Sequence, residues 1–290
     1  MRKLHAFALI FFVAACTSGS GTTSTQAPAT SAPTTSVPVP TSVATTTPTE
    51  VGGCGEGEPM TEDGEIVGGG TSGDAEQIGA ITWETNPECE VFTIDFVTAQ
   101  AAPATSAPTM SAEFFRSSAV VRIHVDLEAT SVTDQLVQSG LVDRVYVARR
   151  PDRSLFVDFH LLAPALARVT VAESPGQVLL ELEPGGRELE GLAAFAQNVV
   201  VISPTTGPVE VPTEVTGYSR NFEANTIARI SQGGSVLDEN FTTAADWVET
   251  WGEYSLTLEP AGSGQAELFV GEQSAQDGSD RGVVIDIELP

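Results

Sequence analysis

Apolar and polar residues alternate with a period of two along most of the chain from Ile78 onward. Val, Ile, Leu or Phe occupies every second position in three clear runs, residues 121–127, 155–161 and 283–289. This alternation is typical of a β-strand that buries one face in a core. Turn-forming residues at 151–153 (Pro-Asp-Arg) and 174–177 (Ser-Pro-Gly-Gln) separate apolar runs at hairpin spacing. The pattern predicts an all-β protein.

The predicted strands divide into two β-sandwich-type domains. The first spans residues 51–186 and contains a stretch rich in Ala and Pro, residues 99–112, that predicts a long exposed loop. The second spans residues 199–290 and has turn signals at the regular spacing of a sandwich. Two short helices are expected as exceptions: one at residues 131–139, which opens with a variant capping box, and one shortly before residue 199.

The N-terminus has the features of an export signal. Two basic residues precede ten uninterrupted apolar residues, 6–15, a run too short to span a bilayer of roughly 30 Å. The run ends in Val-Ala-Ala-Cys at 13–16, which resembles the lipobox of bacterial lipoproteins. The resemblance implies removal of residues 1–15 and attachment of a diacylglyceryl group to the Cys16 thiol, a stable anchor without a membrane-spanning helix. An ordinary signal peptide with an incidental cysteine is the alternative.

Residues 16–50 form a low-complexity segment after this signal. They are almost wholly Thr, Ser, Ala and Pro, with no aromatic residue and no charge before Glu50. Such a segment buries too little apolar surface to offset the entropy of ordering, so we expect a disordered tether. It would carry the folded domains on the extracytoplasmic face of the bacterial cell membrane.

Three cysteines occur in the whole chain, and none belongs to a CxxC motif. If Cys16 is lipidated, Cys54 and Cys89 remain. An even remainder in an exported protein predicts one disulfide. The bond would pin the Gly-rich stretch 52–73 to the strand predicted around residues 90–96.

A series of short motifs runs through the second domain. They are Ile-Ser-Pro at 202–204, Val-Thr-Gly-Tyr-Ser at 215–219, Asn-Phe-Glu-Ala-Asn at 221–225, Ser-Ala-Gln-Asp-Gly-Ser at 274–279 and the strand 283–289. In order and spacing these motifs resemble the immunoglobulin-like domain of bacterial spore germination proteins. The resemblance implies an immunoglobulin-like β-sandwich in an envelope lipoprotein.

The first domain also contains a recognisable stretch. Leu-Val-Asp-Arg-Val-Tyr-Val at 141–147, with the hairpin that follows through Leu182, resembles the AMIN-like domains of actinobacterial envelope lipoproteins. The resemblance extends over about residues 78–185. It implies a small β-sandwich associated with cell-wall targeting.

The charge balance excludes one class of partner. Beyond residue 15 the chain has 11 Arg and no Lys against 39 acids. Such a surface repels phosphate backbones and anionic lipid headgroups. Nucleic-acid binding is therefore excluded, and attachment to the membrane must come through the lipid anchor alone.

Motifs for catalysis are missing from the sequence. It contains no GxSxG, no HExxH and no phosphate-binding loop, and its single lysine lies in the leader. The nearest approach to a site is a pair of short motifs on two predicted strands, His124 with Asp126 and Asp158 with His160. Adjacent strands would bring them together as a metal or acid–base cluster. We favour the alternative of solvent-facing polar residues, and predict no catalytic residue, no metal and no cofactor.

Two further features of the second domain admit two interpretations each. Trp247 and Trp251 would stack on the sugar rings of a wall polymer if exposed, although aromatic residues at this spacing more often cap a sandwich core. Residues 277–280 (Asp-Gly-Ser-Asp) predict a turn rather than a calcium site, because they lack the alternating oxygen ligands of a 12-residue calcium loop.

Together these features indicate a non-enzymatic cell-envelope lipoprotein. Its two β domains are expected to bind or scaffold cell-wall polymer or exported proteins, through sandwich edges and end loops. The alternatives are a metal-dependent envelope enzyme that uses the two His/Asp motifs and a passive spacer without a ligand.

Overall fold

The structure, a computed structural model, describes residues 54, 55, 58–60 and 62–290, and the regular secondary structure of this part of the chain is β-strand apart from one short 3-10 turn at Phe222–Ala224. The predicted all-β fold is confirmed. The expected signal peptide, Cys16 and the tether lie outside the described residues. Among the residues described, no helix has the length and apolar character needed to cross a membrane.

The N-terminal part of the described chain forms a sandwich. Its strands are β1 (Ile66–Gly69), β2 (Gln77–Thr85), β3 (Glu90–Val97), β4 (Met110–Phe115), β5 (Val120–Val125), β6 (Ala129–Thr130), β7 (Asp134–Leu136), β8 (Val142–Arg149), β9 (Leu155–Leu161), β10 (Ala165–Ala172) and β11 (Gln177–Pro184). One sheet has the order β10-β11-β3-β2-β6. The other layer has the order β1-β4-β5-β9-β8, with β7 paired to β8. A hydrophobic core fills the space between the two layers.

The C-terminal part forms a second sandwich. Its strands are β12 (Ala194–Ala196), β13 (Val199–Ser203), β14 (Gly207–Pro208), β15 (Thr213–Ser219), β16 (Asn225–Gln232), β17 (Ser235–Thr243), β18 (Trp251–Leu258), β19 (Gly264–Gln273) and β20 (Asp280–Leu289). One layer is β18-β15-β13-β12 and the other is β14-β20-β19-β16-β17. The predicted alternation holds in β20, where Ile285, Ile287 and Leu289 are buried in the second core.

The two sandwiches share one sheet. Strand β8 of the first pairs in parallel with β18 of the second through Ala148 and Trp251, and this pairing joins their layers into a ten-stranded sheet. A third hydrophobic cluster, here called the junction core, packs residues of both sandwiches together. Its buried members are Val120, Tyr146, Ala148, Phe156, Ala193, Val200, Tyr218 and Trp251.

The junction core changes the environment of β9. Its alternation predicts that Phe156, Asp158 and His160 face solvent, but all seven residues of the strand are buried. The prediction was wrong because the C-terminal sandwich covers the second face of this sheet. A strand covered on both faces has no solvent side, whatever its alternation.

Two predicted helices are absent from the described residues. Within residues 131–139 the structure has strand β7, whose Asp134 lies opposite Tyr146 of β8, and before residue 199 it has strand β12. The capping-box signal failed because pairing with a neighbouring strand supplies the backbone hydrogen bonds that a helix would otherwise make locally.

The Ala/Pro loop predicted at residues 99–112 is shorter and less exposed than expected. Strand β4 begins at Met110, and Ala104 and Ala107 are buried against the first core. The Asp74 carboxylate accepts the backbone N–H groups of Thr105 and Ser106. Small side chains and backbone hydrogen bonds therefore hold this loop against the sandwich.

A disulfide joins Cys54 and Cys89, whose Cα atoms are 5.8 Å apart. Cys89 immediately precedes β3, and the backbone N–H of Gly55 donates to the Glu181 carboxylate on β11. The first described residues are thereby fixed to the first sandwich.

Candidate functional site

An exposed pair of aromatic rings lies at one end of the C-terminal sandwich. Phe222 is 61% exposed and Trp247 is 36% exposed, and their ring centroids are 5.5 Å apart in an edge-to-face arrangement. Val248, which is 65% exposed, follows Trp247 in the chain. We call Phe222, Trp247 and Val248 the aromatic platform.

Phe222 is exposed because the backbone turns sharply before β16. Phe222–Ala224 form a single 3-10 turn in which Glu223 and Ala224 adopt left-handed φ angles of 55° and 60°. The Phe222 N–H donates to the Glu272 carboxylate at 2.8 Å. The alternation of residues 222–230 would place Phe222 on the same face as the buried Ala228 and Ile230, but the turn interrupts that alternation before β16 begins. Left-handed non-glycine residues are costly and concentrate at functional sites.

Trp247 and Val248 are held by one carboxylate. Asp246 Oδ1 accepts the backbone N–H groups of Trp247 at 2.6 Å, Val248 at 2.9 Å and Glu249 at 3.2 Å. Asp246 Oδ2 accepts a hydrogen bond from Arg149 Nε at 2.9 Å. Burial opposes ionisation of Asp246, but these hydrogen bonds outweigh it and hold the pKa of the carboxyl below its usual value. An ionised Asp246 thus fixes the loop that presents the platform.

A polar groove borders the platform at Phe222. It has a volume of about 470 Å³, and its polar lining includes Glu223, Asn225, Glu272, Gln273, Gln276 and Arg281. A smaller cavity of about 270 Å³ shares Glu272 and Arg281 with the groove and extends to Asn198 and Asn221. Asn221 is buried, and its Oδ1 has no hydrogen-bond partner among the described atoms. The groove offers both donors and acceptors beside an apolar ring.

The structure separates the two tryptophans that the sequence pairs. Trp251 is buried in the junction core, where its ring packs 4.8 Å from Tyr146 and its Nε1–H donates to Asp134 Oδ1 at 3.1 Å. It is therefore inaccessible for stacking on a ligand. Trp247 is the one of the two that faces solvent.

The two His/Asp motifs do not converge. Strands β5 and β9 are adjacent, but their register places His124 opposite Phe156 and His160 opposite Val120. In the described part of the chain, no three His, Cys, Asp or Glu side chains are grouped so as to hold a metal ion. The cluster expected for the metal-enzyme alternative is not formed.

Asp158 and His160 instead belong to a buried polar network at the junction. Asp158 receives two hydrogen bonds of 2.7 Å from Arg122, whose guanidinium also lies 3.9 Å from the centre of the Phe156 ring. His160 Nε2 is hydrogen-bonded to the Tyr218 hydroxyl of the other sandwich. Burial lowers the pKa of His160 to about 3, so its ring is neutral at ordinary pH. Polar groups of both sandwiches are thus satisfied by each other.

Residues 277–279 lie in the predicted turn between β19 and β20, and Asp280 begins β20. Asp277 Oδ1 accepts the backbone N–H of Ser279 at 3.1 Å and its hydroxyl at 2.7 Å. These hydrogen bonds, led by the one from the Ser279 hydroxyl, lower the pKa of Asp277 to about 2. The carboxylate is therefore engaged in the turn itself.

Comparison with known proteins supports the C-terminal part of this description. No curated protein matches the chain. The platform residues and Glu272 all lie within one matched segment, residues 198–279. The resemblance predicted from the short motifs is confirmed there, because these residues match the family model described as the immunoglobulin-like domain of bacterial spore germination.

Proposed function

We propose that the protein is a non-enzymatic lipoprotein on the extracytoplasmic face of the bacterial cell membrane that binds cell-wall polymer through the aromatic platform. The observation that carries the proposal is the contact between the exposed rings of Phe222 and Trp247 beside a polar groove. Apolar rings next to a few hydrogen-bonding groups suit the apolar face and the hydroxyl rim of a sugar ring.

Charge favours the neutral glycan part of the wall over its anionic polymers. The chain beyond residue 15 carries 39 acids against 11 Arg. Glu223 and Glu272 lie at the groove itself, with Arg281 as its basic residue. Like charges repel a phosphate-rich polymer but leave an uncharged glycan unaffected.

The sequence supports the location and the absence of catalysis in this proposal. The lipobox-like residues 13–16 and the tether 16–50 suit a protein anchored outside the cell, and the AMIN-like resemblance suits wall targeting. Asp158, a candidate from the sequence for acid–base chemistry, forms an ion pair with Arg122. A scaffold for exported proteins is the competing function.

Co-sedimentation of residues 50–290 with purified cell-wall sacculi tests the proposal. We expect saturable binding that persists as salt is raised, and a loss of at least about tenfold in affinity for Trp247→Ala, because a truncated aromatic anchor commonly costs 2 kcal/mol or more. Trp83→Ala is the matched control, since Trp83 is 37% exposed but lies on β2, in the other sandwich.

Two results of this experiment would contradict the proposal in different ways. Equal binding by Trp247→Ala and Trp83→Ala would exclude the platform as the binding surface. No binding of the wild-type protein at any salt concentration would contradict the proposal and favour an exported protein as partner, which crosslinking in the native envelope would identify.

A further inference from the structure

Arg149 connects the first sandwich to the loop that carries Trp247. It is the last residue of β8, and its side chain is buried. Its guanidinium donates to three acceptors, Asp246 Oδ2 at 2.9 Å, Glu249 Oε2 at 2.7 Å and the backbone oxygen of Glu128 at 2.8 Å. Two of these acceptors belong to the second sandwich and lie on either side of Trp247 and Val248 in the chain.

The end of the same loop is also fixed by the first sandwich. The Thr250 hydroxyl donates to the backbone oxygen of Val147. Directly after it, Trp251 and Gly252 pair with Ala148 and Arg149 of β8. Between these fixed points Trp247, Val248 and Glu249 are exposed, and the first two of them belong to the platform.

The planar guanidinium is suited to this position. It presents several N–H donors in a rigid fork, so one side chain spans two carboxylates and holds them in a fixed relation. Without it, Asp246 and Glu249 lie three residues apart as like charges with no cation between them. The same Asp246 carboxylate orders the three backbone N–H groups of residues 247–249.

We propose that Arg149 is a positioning residue for the aromatic platform, so that the two sandwiches act as one binding unit. The N-terminal sandwich supplies the cation that holds the Trp247 loop in its binding conformation. The effect on the loop stands on the contacts above, while the effect on wall binding rests on the proposed function. A lysine at position 149 lacks the fork and would restore only part of the effect.

The first test measures the loop without any ligand. In residues 50–290, Arg149→Met is expected to raise amide hydrogen exchange at residues 247–249 by about tenfold or more, as the loss of a charge-assisted hydrogen bond predicts. Arg149→Lys should give an intermediate rise. The control is Arg153→Met, which removes an exposed ion pair with Glu128 on the same sandwich and should leave these amides unchanged. Unchanged exchange at 247–249 in Arg149→Met would overturn the inference.

The second test is a double-mutant cycle for binding to sacculi. If Arg149 acts through Trp247, Arg149→Met weakens binding several-fold when Trp247 is present. The same substitution has no further effect on binding in a protein that already carries Trp247→Ala. Additive losses would overturn the inference, because they would mean that Arg149 acts elsewhere. Faster exchange combined with binding that neither substitution alters would uphold the loop mechanism and contradict the proposed function.

Discussion

At the scale of single residues, the junction contains a charged pair that solvent scarcely reaches. Asp158 is fully buried and Arg122 nearly so, and the two form a bidentate pair. A buried pair of this kind adds little net stability compared with apolar residues, but removing one partner leaves an uncompensated charge. Single substitutions should therefore be costly.

We expect Asp158→Asn to lower the free energy of unfolding by about 3–5 kcal/mol, because Arg122 loses its bidentate partner in a buried site and keeps only the more distant Glu253, at 3.7 Å. Urea denaturation of residues 50–290 measures this. Glu128→Gln is the control, since it breaks an exposed pair with Arg153 and should cost less than about 1 kcal/mol. Equal costs for the two substitutions would show that the Arg122–Asp158 pair is not a buried ion pair.

His160 makes stability depend on pH in a defined direction. Its folded pKa is about 3, below the ordinary value of about 6.5. As pH falls below 6.5, His160 binds a proton in the unfolded state but stays neutral in the folded state, so the free energy of unfolding decreases. Above pH 6.5 the contribution of this group to stability is fully retained. Between pH 7 and 5 the loss from this group is about 2 kcal/mol.

His160→Gln should remove that loss, because glutamine does not titrate. The measurement is urea denaturation of both proteins at pH 7 and pH 5, and the quantity is the difference between their pH dependences. Carboxylates titrate in both proteins, so the difference isolates His160. The same pH dependence in both would refute the assignment of a buried neutral histidine.

At the scale of elements, the sequence predicts where the strands lie better than it predicts which of their faces are buried. The alternation in β20 gives its buried face correctly, and the turns at 151–153 and 174–177 lie between paired strands. The second face of β9 could not be foreseen, because Tyr218, which covers it, lies about sixty residues further along the chain. Burial on that side depends on a tertiary contact.

The candidate site could likewise be predicted from the sequence only in part. Trp247 could be singled out from the sequence, but its separation from Trp251 could not. Trp251 pairs with Ala148 of β8, whereas Trp247 lies in the loop before β18, and that pairing is a tertiary contact. Phe222 was missed because the left-handed turn at Glu223 and Ala224 contains no glycine to mark it. The unusual Asn-Phe-Glu-Ala-Asn motif was the available signal.

The two tryptophans should separate stability from binding. Trp251→Ala removes a ring from the junction core and is expected to cost about 3–5 kcal/mol of unfolding free energy. Trp247→Ala removes an exposed ring and should cost less than about 1 kcal/mol. Denaturant midpoints of both variants measure this. A cost for Trp247→Ala clearly above about 1 kcal/mol would mean that its ring packs in a core, which would contradict an exposed platform.

At the scale of the whole molecule, the shared sheet and the junction core make the two sandwiches interdependent. We expect residues 50–290 to unfold in a single cooperative transition, with the calorimetric enthalpy equal to the van't Hoff enthalpy. Differential scanning calorimetry provides the measurement. Two resolved transitions would contradict this expectation, because they would mean that each sandwich is stable without the other.

The central claim is that the aromatic platform binds neutral wall glycan, and a calorimetric titration with solubilised, uncharged glycan strands tests it most directly. The account predicts saturable binding by the wild-type protein and by Trp83→Ala. It predicts at least about tenfold weaker binding by Phe222→Ala and by Trp247→Ala. The same affinity in all four proteins, or no heat of binding in the wild type, would contradict it.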